Sequence, residues 1–421
     1  MKLKFKDLGK IKEADFELAD FTLIVGDNSL GKTILLEAYA LYVNVMKDLF
    51  GENHIYDVEI NEMDVLGEHS EVSFNYKMRD EDSLKVILDG YKEKYLTLLK
   101  ENILKNAHSN ADVEITYNYV NSMEIPNKVK VIYHETLISV NFGARGMIIP
   151  RFNDEENGRD LMLQRLKNRI TSVLNMIYFE KLCGIEEIVF FPSERNLYRT
   201  NAYKKSAEFI EDSFLKIEKD GDMRYSESLF VKSYFKYLDS FDFWGEIGHS
   251  EERQALYDLL CRSLGGTPDY EDGMIIAIQQ KGENIPQNLF STKQNRFLPY
   301  FMLCNNFIVR EQDRIIIEEP EAHMSLKSMF ELVEITEYIL QDNKMIMTSH
   351  SDVFVSLLNN LIKKNQINAK VYELLEEGPY NILKEVVPGD YGYELSFMSE
   401  QMIRLNEQTL EVFKDVVERG E

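Results

Sequence analysis

Residues 26–33, Gly-Asp-Asn-Ser-Leu-Gly-Lys-Thr, have the types and spacing to wrap a polyphosphate. Gly26 and Gly31 let the backbone curl, so that successive N–H groups across Asp27, Asn28, Ser29 and Leu30 point inward at anionic oxygens. Lys32 can neutralise the outer phosphates, and Thr33 can offer a hydroxyl to Mg²⁺. The pattern G-x-x-x-x-G-K-[ST] is complete. An ordinary glycine-containing turn is the plainer reading, but the flanks speak against it. Phe21–Val25 suits a buried strand, and Ile34–Tyr42 is apolar and helical, so the loop opens a helix whose N-terminal dipole favours anions.

Two further segments carry chemistry. Ile315-Ile316-Ile317 predicts a buried strand, and Glu318 and Glu319 follow at its carboxyl end, where open α/β sheets place their ligands. Glu318 is placed to hold Mg²⁺ through water, and Glu319 to orient or polarise an attacking water. Phosphoryl transfer needs mainly positioned charge of this kind. Alone, the pair also reads, with somewhat less weight, as the acidic first turn of a helix. The third segment, Lys344–Met347 followed by Thr348-Ser349-His350-Ser351, changes that balance. One helix and one strand separate His350 from Glu319, which predicts neighbouring strands. His350 can then reach a γ-phosphate oxygen rather than serve as a structural histidine.

The elements that must position these residues are legible in outline. Residues 2–8, 14–18 and 21–25 predict strands, and 33–49 a helix. Residues 55–76 and 83–89 are β-like, and 91–106 helical with many Lys and Glu. Period-two alternation over 113–120 and 128–136 predicts a hairpin. A helix over 159–183, a strand over 188–191 and a mostly helical stretch over 203–264 follow, then a strand over 273–279. From 293 the pattern is a helix to 308, then strand 313–318, helix 326–341, strand 344–348, helix 351–363, strand 370–375 and a last helix over 394–417. The fold class expected is α/β, with a mixed central sheet, an N-terminal antiparallel part and an inserted helical lobe. The expected division is 1–90 (phosphate loop), 91–150 (β/α insertion), 151–200 (central helix and strand), 201–285 (helical lobe) and 286–421 (the two carboxylates and His350). Parts 1–90 and 286–421 must share one sheet for Lys32 to meet Glu318.

Together these segments resemble the ABC-type ATPases of the SMC/RecF/OLD group, and within it the small stand-alone "AAA" ATPases of prokaryotic defence loci. Phe5–Ile11 before Ala14–Leu18 is similar to the group's N-terminal hairpin, and Phe191–Arg195 to its central P-x-x-R element. Asp272-Gly273 and then Leu289–Gln294 fall where the group carries its signature segment. Glu318–His323 and Thr348–Ser351 match most closely. The resemblance implies ATP and Mg²⁺ as cofactors and a head-to-head homodimer around two ATPs. Ser291 would contact the γ-phosphate in trans, and Ala322-His323 would form the loop crossing between sites. It further implies a sensor or scaffold that controls a separate effector protein in antiviral defence. Two departures bear on turnover. Thr292 and Lys293 stand where the group has a small residue and Gly, so Lys293 either brings charge to the γ-phosphate or is a surface lysine at a helix start. No Gln occurs between Thr33 and Gln164 to couple Mg²⁺ to the lobe, which leaves His69, Glu71 and Asn75 as substitutes. Slow or partner-dependent hydrolysis is the consequence.

Composition narrows the partners. The chain has 421 residues, with 48 Lys and Arg against 72 Asp and Glu, a net charge of −24. Phosphate contacts supply most duplex affinity, so DNA is not expected as the main ligand. The alternatives are a RecF/SMC-like DNA-repair or chromosome-associated ATPase and a non-hydrolysing nucleotide-binding scaffold. The aromatics between 227 and 245 fit a lobe core better than a stacking surface for single strands, and the Lys-rich helix at 92–105 fits a solvated face. Three separated cysteines without metal spacing suit a cytoplasmic, reducing setting. No run suits a membrane helix and the N-terminus lacks a signal-peptide core. About 70 residues follow His350, too few for a Toprim nuclease domain.

Overall fold

The computed structural model describes residues 2–52, 56–59, 71–73, 75–78, 81–116, 128–133, 137–142, 145–150, 158–183, 188–193, 251–271, 274–279, 282–304, 313–390, 392–396, 403–404 and 406–410. They form two compact units. One comprises residues 39–99 and 115–185, and the other residues 2–38, 100–114 and 186–421.

The second unit is built on a nine-stranded sheet. Its strands are β1 (Lys2–Leu8), β2 (Ile11–Glu17), β3 (Phe21–Val25), β4 (Asp112–Thr116), β5 (Ile188–Phe191), β6 (Arg314–Glu318), β7 (Lys344–Ser349), β8 (Ala369–Glu377) and β9 (Tyr380–Val386). Their spatial order is β5-β6-β7-β3-β8-β9-β2-β1-β4. β5, β6, β7, β3 and β8 run parallel to one another, whereas β8–β9 and β1–β2 are antiparallel hairpins, so the sheet is mixed. The register pairs Ile317 with Met347 and Met347 with Leu23. Phe21–Val25 and Arg314–Glu318 are buried along their whole lengths, as strands covered on both faces must be. β1 buries Leu3, Phe5 and Leu8 and exposes residues between them. One core cluster joins Leu23, Ile317 and Met347 of the sheet to Leu260, Tyr300, Leu332 and Leu358 of the helices packed on it.

The helices are α1 (Lys32–Glu52), α2 (Glu81–Leu98), α3 (Gly158–Cys183), α4 (Glu251–Leu264), α5 (Thr292–Phe297), α6 (Leu326–Asp342) and α7 (Asp352–Asn365). Ser325 and Ser351 cap α6 and α7 by accepting from Ser328 and Phe354 N–H groups, which starts each helix just after a functional loop. In the first unit, Tyr42 of α1 meets Tyr95 of α2 edge to face at 5.6 Å. A four-stranded antiparallel sheet there has the order 145–150, 137–142, 128–133, 71–73.

Four local expectations are corrected. Residues 83–89 are helical, not β-like. Leu88, Tyr95 and Leu99 are buried at helical spacing while Val86 is 73% exposed, so the apolar run is a helix face. Among the described residues of the expected hairpin, 113–116 and 128–133 do not pair with each other. Asp112–Thr116 lies beside β1, and 128–133 pairs with 137–142 across only three residues, a shorter closure than the eleven between 116 and 128. The helix expected over 293–308 is α5 followed by a 3₁₀ stretch, Leu298–Cys304. Pro299 lacks the N–H that would continue the α ladder. β9 was not foreseen; it returns from β8 through a two-residue turn with Gly378 at φ +65°. Residues 194–250, which hold Arg195, the aromatics at 227–245 and most of the expected lobe, lie outside the described residues, as do His69, Asp272-Gly273 and most of the last helix.

Candidate functional site

The loop between β3 and α1 is held by backbone contacts that leave no room for a side chain at Gly26. Gly26 N–H donates to the Ser349 carbonyl at 3.3 Å. A Cβ on Gly26 would lie 2.8 Å from the Leu374 carbonyl oxygen, closer than real Cβ atoms approach. Gly31 sits at φ +111°, a conformation that L side chains rarely adopt. Asn28 N–H donates to Asp27 Oδ1 at 2.7 Å, and Asn28 and Ser29 are exposed at the tip. The Leu30 carbonyl accepts from Asn381 Nδ2 at 2.6 Å, which ties the loop to β9. Leu35 N–H donates to the Gly31 carbonyl at 3.1 Å, so the helix begins at the loop itself.

Lys32 lies inside this curl, 6% exposed. Its Nζ donates to the carbonyls of Gly26 at 2.9 Å and Asp27 at 3.0 Å, and lies 3.7 Å from Glu319 Oε1. Burial pulls its pKa below the ordinary lysine value, while Glu319 and Glu321 pull the other way. A buried cation held by backbone carbonyls, with one carboxylate 3.7 Å away, fits an incoming anion that can compete for it.

Thr33 and Glu318 meet side chain to side chain, Thr33 Oγ1 donating to Glu318 Oε1. Glu318 is 7% exposed, and its Oε2 accepts from the Ser193 N–H at 3.3 Å. Among the described residues no cluster of three or more His, Cys, Asp or Glu could hold a metal alone. One hydroxyl and one carboxylate suit Mg²⁺, which keeps several waters and takes its other oxygens from phosphate. The residues present therefore fit an ATP·Mg²⁺ pair.

Glu319 leaves β6 with φ +43°, and its N–H donates to Thr348 Oγ1 of β7 at 3.1 Å. Its Oε1 lies 3.5 Å from His350 Nδ1 as well as 3.7 Å from Lys32 Nζ, so one carboxylate oxygen faces both the ammonium and the imidazole. The carboxyl ends of β3, β6 and β7 thus bring Lys32, Thr33, Glu318, Glu319 and His350 into one place.

Ser291 and Lys293 are not joined to that place by a hydrogen bond or ion pair. Ser291 caps α5, accepting from Gln294 N–H at 3.3 Å and donating its own N–H to Gln294 Oε1 at 2.8 Å. Lys293 Nζ pairs with Glu331 at 2.5 Å. Gln294 also reaches the Leu264 carbonyl at 2.6 Å, which fixes the segment to the end of α4. Three residues at the site had no assigned role in the sequence. Glu321 accepts from Ser349 Oγ at 2.6 Å, Asn381 holds Leu30, and buried Arg296 donates to the Ser193 carbonyl. The signal for Glu321 was its place directly after Pro320 at a buried strand end. For Asn381 and Arg296 no local pattern marks the residue.

No family model matches the chain, and no curated protein matches it. Solved structures similar to it include an SMC head bound to the C-winged helix domain of ScpA, at 12% identity and TM-score 0.39 over 91% of this chain and 96% of that one. Another is the SMC head domain from Thermotoga maritima, at 10% identity and TM-score 0.37 over 92% and 98%. A third is an SMC head with an extended coiled coil, bound to the C-terminal domain of ScpA derived from Pyrococcus furiosus, at 11% and 0.35 over 97% and 98%.

Proposed function

We propose that this chain binds ATP·Mg²⁺ and hydrolyses the γ-phosphate, as an ABC-type ATPase. The observation that carries the reading is the meeting of Lys32, the Thr33–Glu318 pair, Glu319 and His350 at the ends of three adjacent parallel strands. The backbone of residues 26–31 and Lys32 would take the phosphates. Thr33 and Glu318 would hold Mg²⁺, which when bound neutralises charge on the phosphate oxygens. Glu319 would accept a hydrogen bond from the lytic water, and His350 would face the γ-phosphate side.

The motif resemblance supports the rest of the proposal. Two copies close head to head, Ser291 and Lys293 of each facing the other's phosphate loop and Ala322-His323 crossing between them. Closure then controls a separate effector, in antiviral defence in the cytoplasm. A second reading, a non-hydrolysing scaffold, is favoured by the Lys293–Glu331 ion pair, which engages the one cation of that segment. Sedimentation velocity with and without ATP·Mg²⁺, alongside phosphate release, tests both. An ATP-dependent dimer that releases phosphate is expected. A dimer without phosphate release selects the scaffold, and a monomer at saturating ATP overturns the closure.

A further inference from the structure

Glu321 is the most deeply buried carboxylate at the site, 3% exposed, although it lies within a turn. Its Oε1 accepts from Ser349 Oγ at 2.6 Å and from the His350 N–H at 3.2 Å, and lies 3.9 Å from His350 Nδ1. Its Oε2 and His350 Nδ1 are both shielded from solvent and have no hydrogen-bond partner among the described residues. The loop around it is tight: Ala322 N–H donates to the Glu319 carbonyl at 3.1 Å and Met324 N–H to the Glu321 carbonyl at 3.0 Å, and His323 lies at φ +62°.

A brace between this loop and β7 needs only an acceptor for the Ser349 hydroxyl and the His350 N–H. A neutral amide oxygen would do both. A buried carboxylate with one oxygen unmatched is destabilising unless a cationic or N–H partner completes it. The unmatched ring nitrogen of His350 lies 3.9 Å from the Oε1 of this same carboxylate and 3.5 Å from Glu319 Oε1, so the two carboxylates flank it. Apo geometries are often looser than working ones in this way.

We propose that Glu321 is a positioning residue that fixes the His350 imidazole, engaging Nδ1–H and so leaving Nε2 as the ring atom turned to the γ-phosphate side. This rests on the ATP-hydrolysis reading of the site. Glu319 is then released from holding the ring and is left to the water. The division of labour matches the general pattern in which a functional histidine is oriented by a carboxylate on its other nitrogen.

The test uses Glu321→Gln, which retains both accepted hydrogen bonds and removes the charge. Steady-state turnover, affinity for a fluorescent ATP analogue and thermal midpoint are measured, together with ¹⁵N spectra of the imidazoles. The chain has seven histidines, and the His350→Ala spectrum assigns the signal by its loss. The expected result is a kcat about tenfold or more below wild type, the scale for outer partners of a functional histidine. Analogue affinity and midpoint stay unchanged, and the His350 nitrogen signals move. The Glu321→Gln/His350→Ala double variant should be no slower than His350→Ala alone, because the two act as one unit. An unmoved His350 signal, or additive losses in the double variant, overturns the proposal. If the wild type binds the analogue but releases no phosphate, hydrolysis fails as a reading, and the imidazole signal alone decides whether Glu321 holds the ring.

Discussion

Replacing Glu319 by Gln keeps the shape of the side chain and removes one charge from a point shared by Lys32 and His350. The 3.7 Å separation from Lys32 Nζ corresponds to about 4–5 kcal/mol of attraction at an effective dielectric of about 20, an upper bound once water and the backbone carbonyls screen it. In the free protein that attraction holds Lys32 against Glu319. The substitution therefore frees Lys32 for phosphate, and ATP should bind as tightly as to wild type or several-fold tighter. Turnover moves the other way. Loss of a group that accepts a proton or hydrogen bond from the attacking water lowers kcat by about 10²–10⁴-fold, or roughly 3–5 kcal/mol of barrier. The assay pairs calorimetric ATP titration with phosphate release and with the lifetime of the ATP-bound dimer, which should lengthen. Weaker ATP binding would show that Glu319 supports the cradle instead of competing for Lys32. Near-normal turnover would remove Glu319 from any role at the water.

Lys32→Ala should abolish ATP binding in calorimetry, because the cradle then offers only neutral N–H groups to a polyphosphate; unchanged affinity would sink the phosphate-loop assignment. Asn381→Leu removes the amide that holds the Leu30 carbonyl and should weaken ATP binding by about 5–30-fold, from loss of about 1–2 kcal/mol, with little change in kcat at saturation. Equal affinity would mean the loop holds its shape without β9. With a charge of −24, the protein should show no tight, salt-sensitive duplex DNA binding in anisotropy titrations, and such binding would promote the DNA-repair alternative. Burial raises the Cys261 thiol from its ordinary 9.0 to about 11, so the unfolded chain ionises first. Stability from this group is intact below about pH 9 and is lost as pH rises toward 11. Cys261→Ala should flatten that alkaline limb in denaturant titrations, and identical limbs would refute the assignment.

The parts of the site that sequence carried are those whose chemistry is local. Gly26, Gly31, Lys32 and Thr33 are specified by one turn, and the apolar runs before Glu318 and His350 announce strands that end where ligands sit. What sequence did not carry depends on contacts between distant segments. Asn381 is indistinguishable from a surface turn residue until β9 is known to lie against the loop at Leu30. Glu321 reads as one more carboxylate in an acidic run until Ser349 and the His350 N–H are seen to close on it. Val86-Ile87-Leu88 shows the converse failure: a short apolar run cannot declare its period, and the helix there is set by Tyr95 and Leu99, seven and eleven residues beyond Leu88.

β3 lies between β7 and β8. Its apolar stretch, Phe21–Val25, thus leaves the ribosome well before either of its neighbours, which lie far downstream in sequence. At about 5–20 residues per second, Ser349 emerges roughly 15–65 seconds after β3, and Glu377 later still. Through that interval the strand that leads into the 26–33 loop has two unpaired edges. A chain interrupted before residue 344 cannot seat it at all. Seating of the loop after β3 for this reason waits on synthesis past β8, and a nascent chain that pauses in α6 should be a client for chaperones that hold exposed strands.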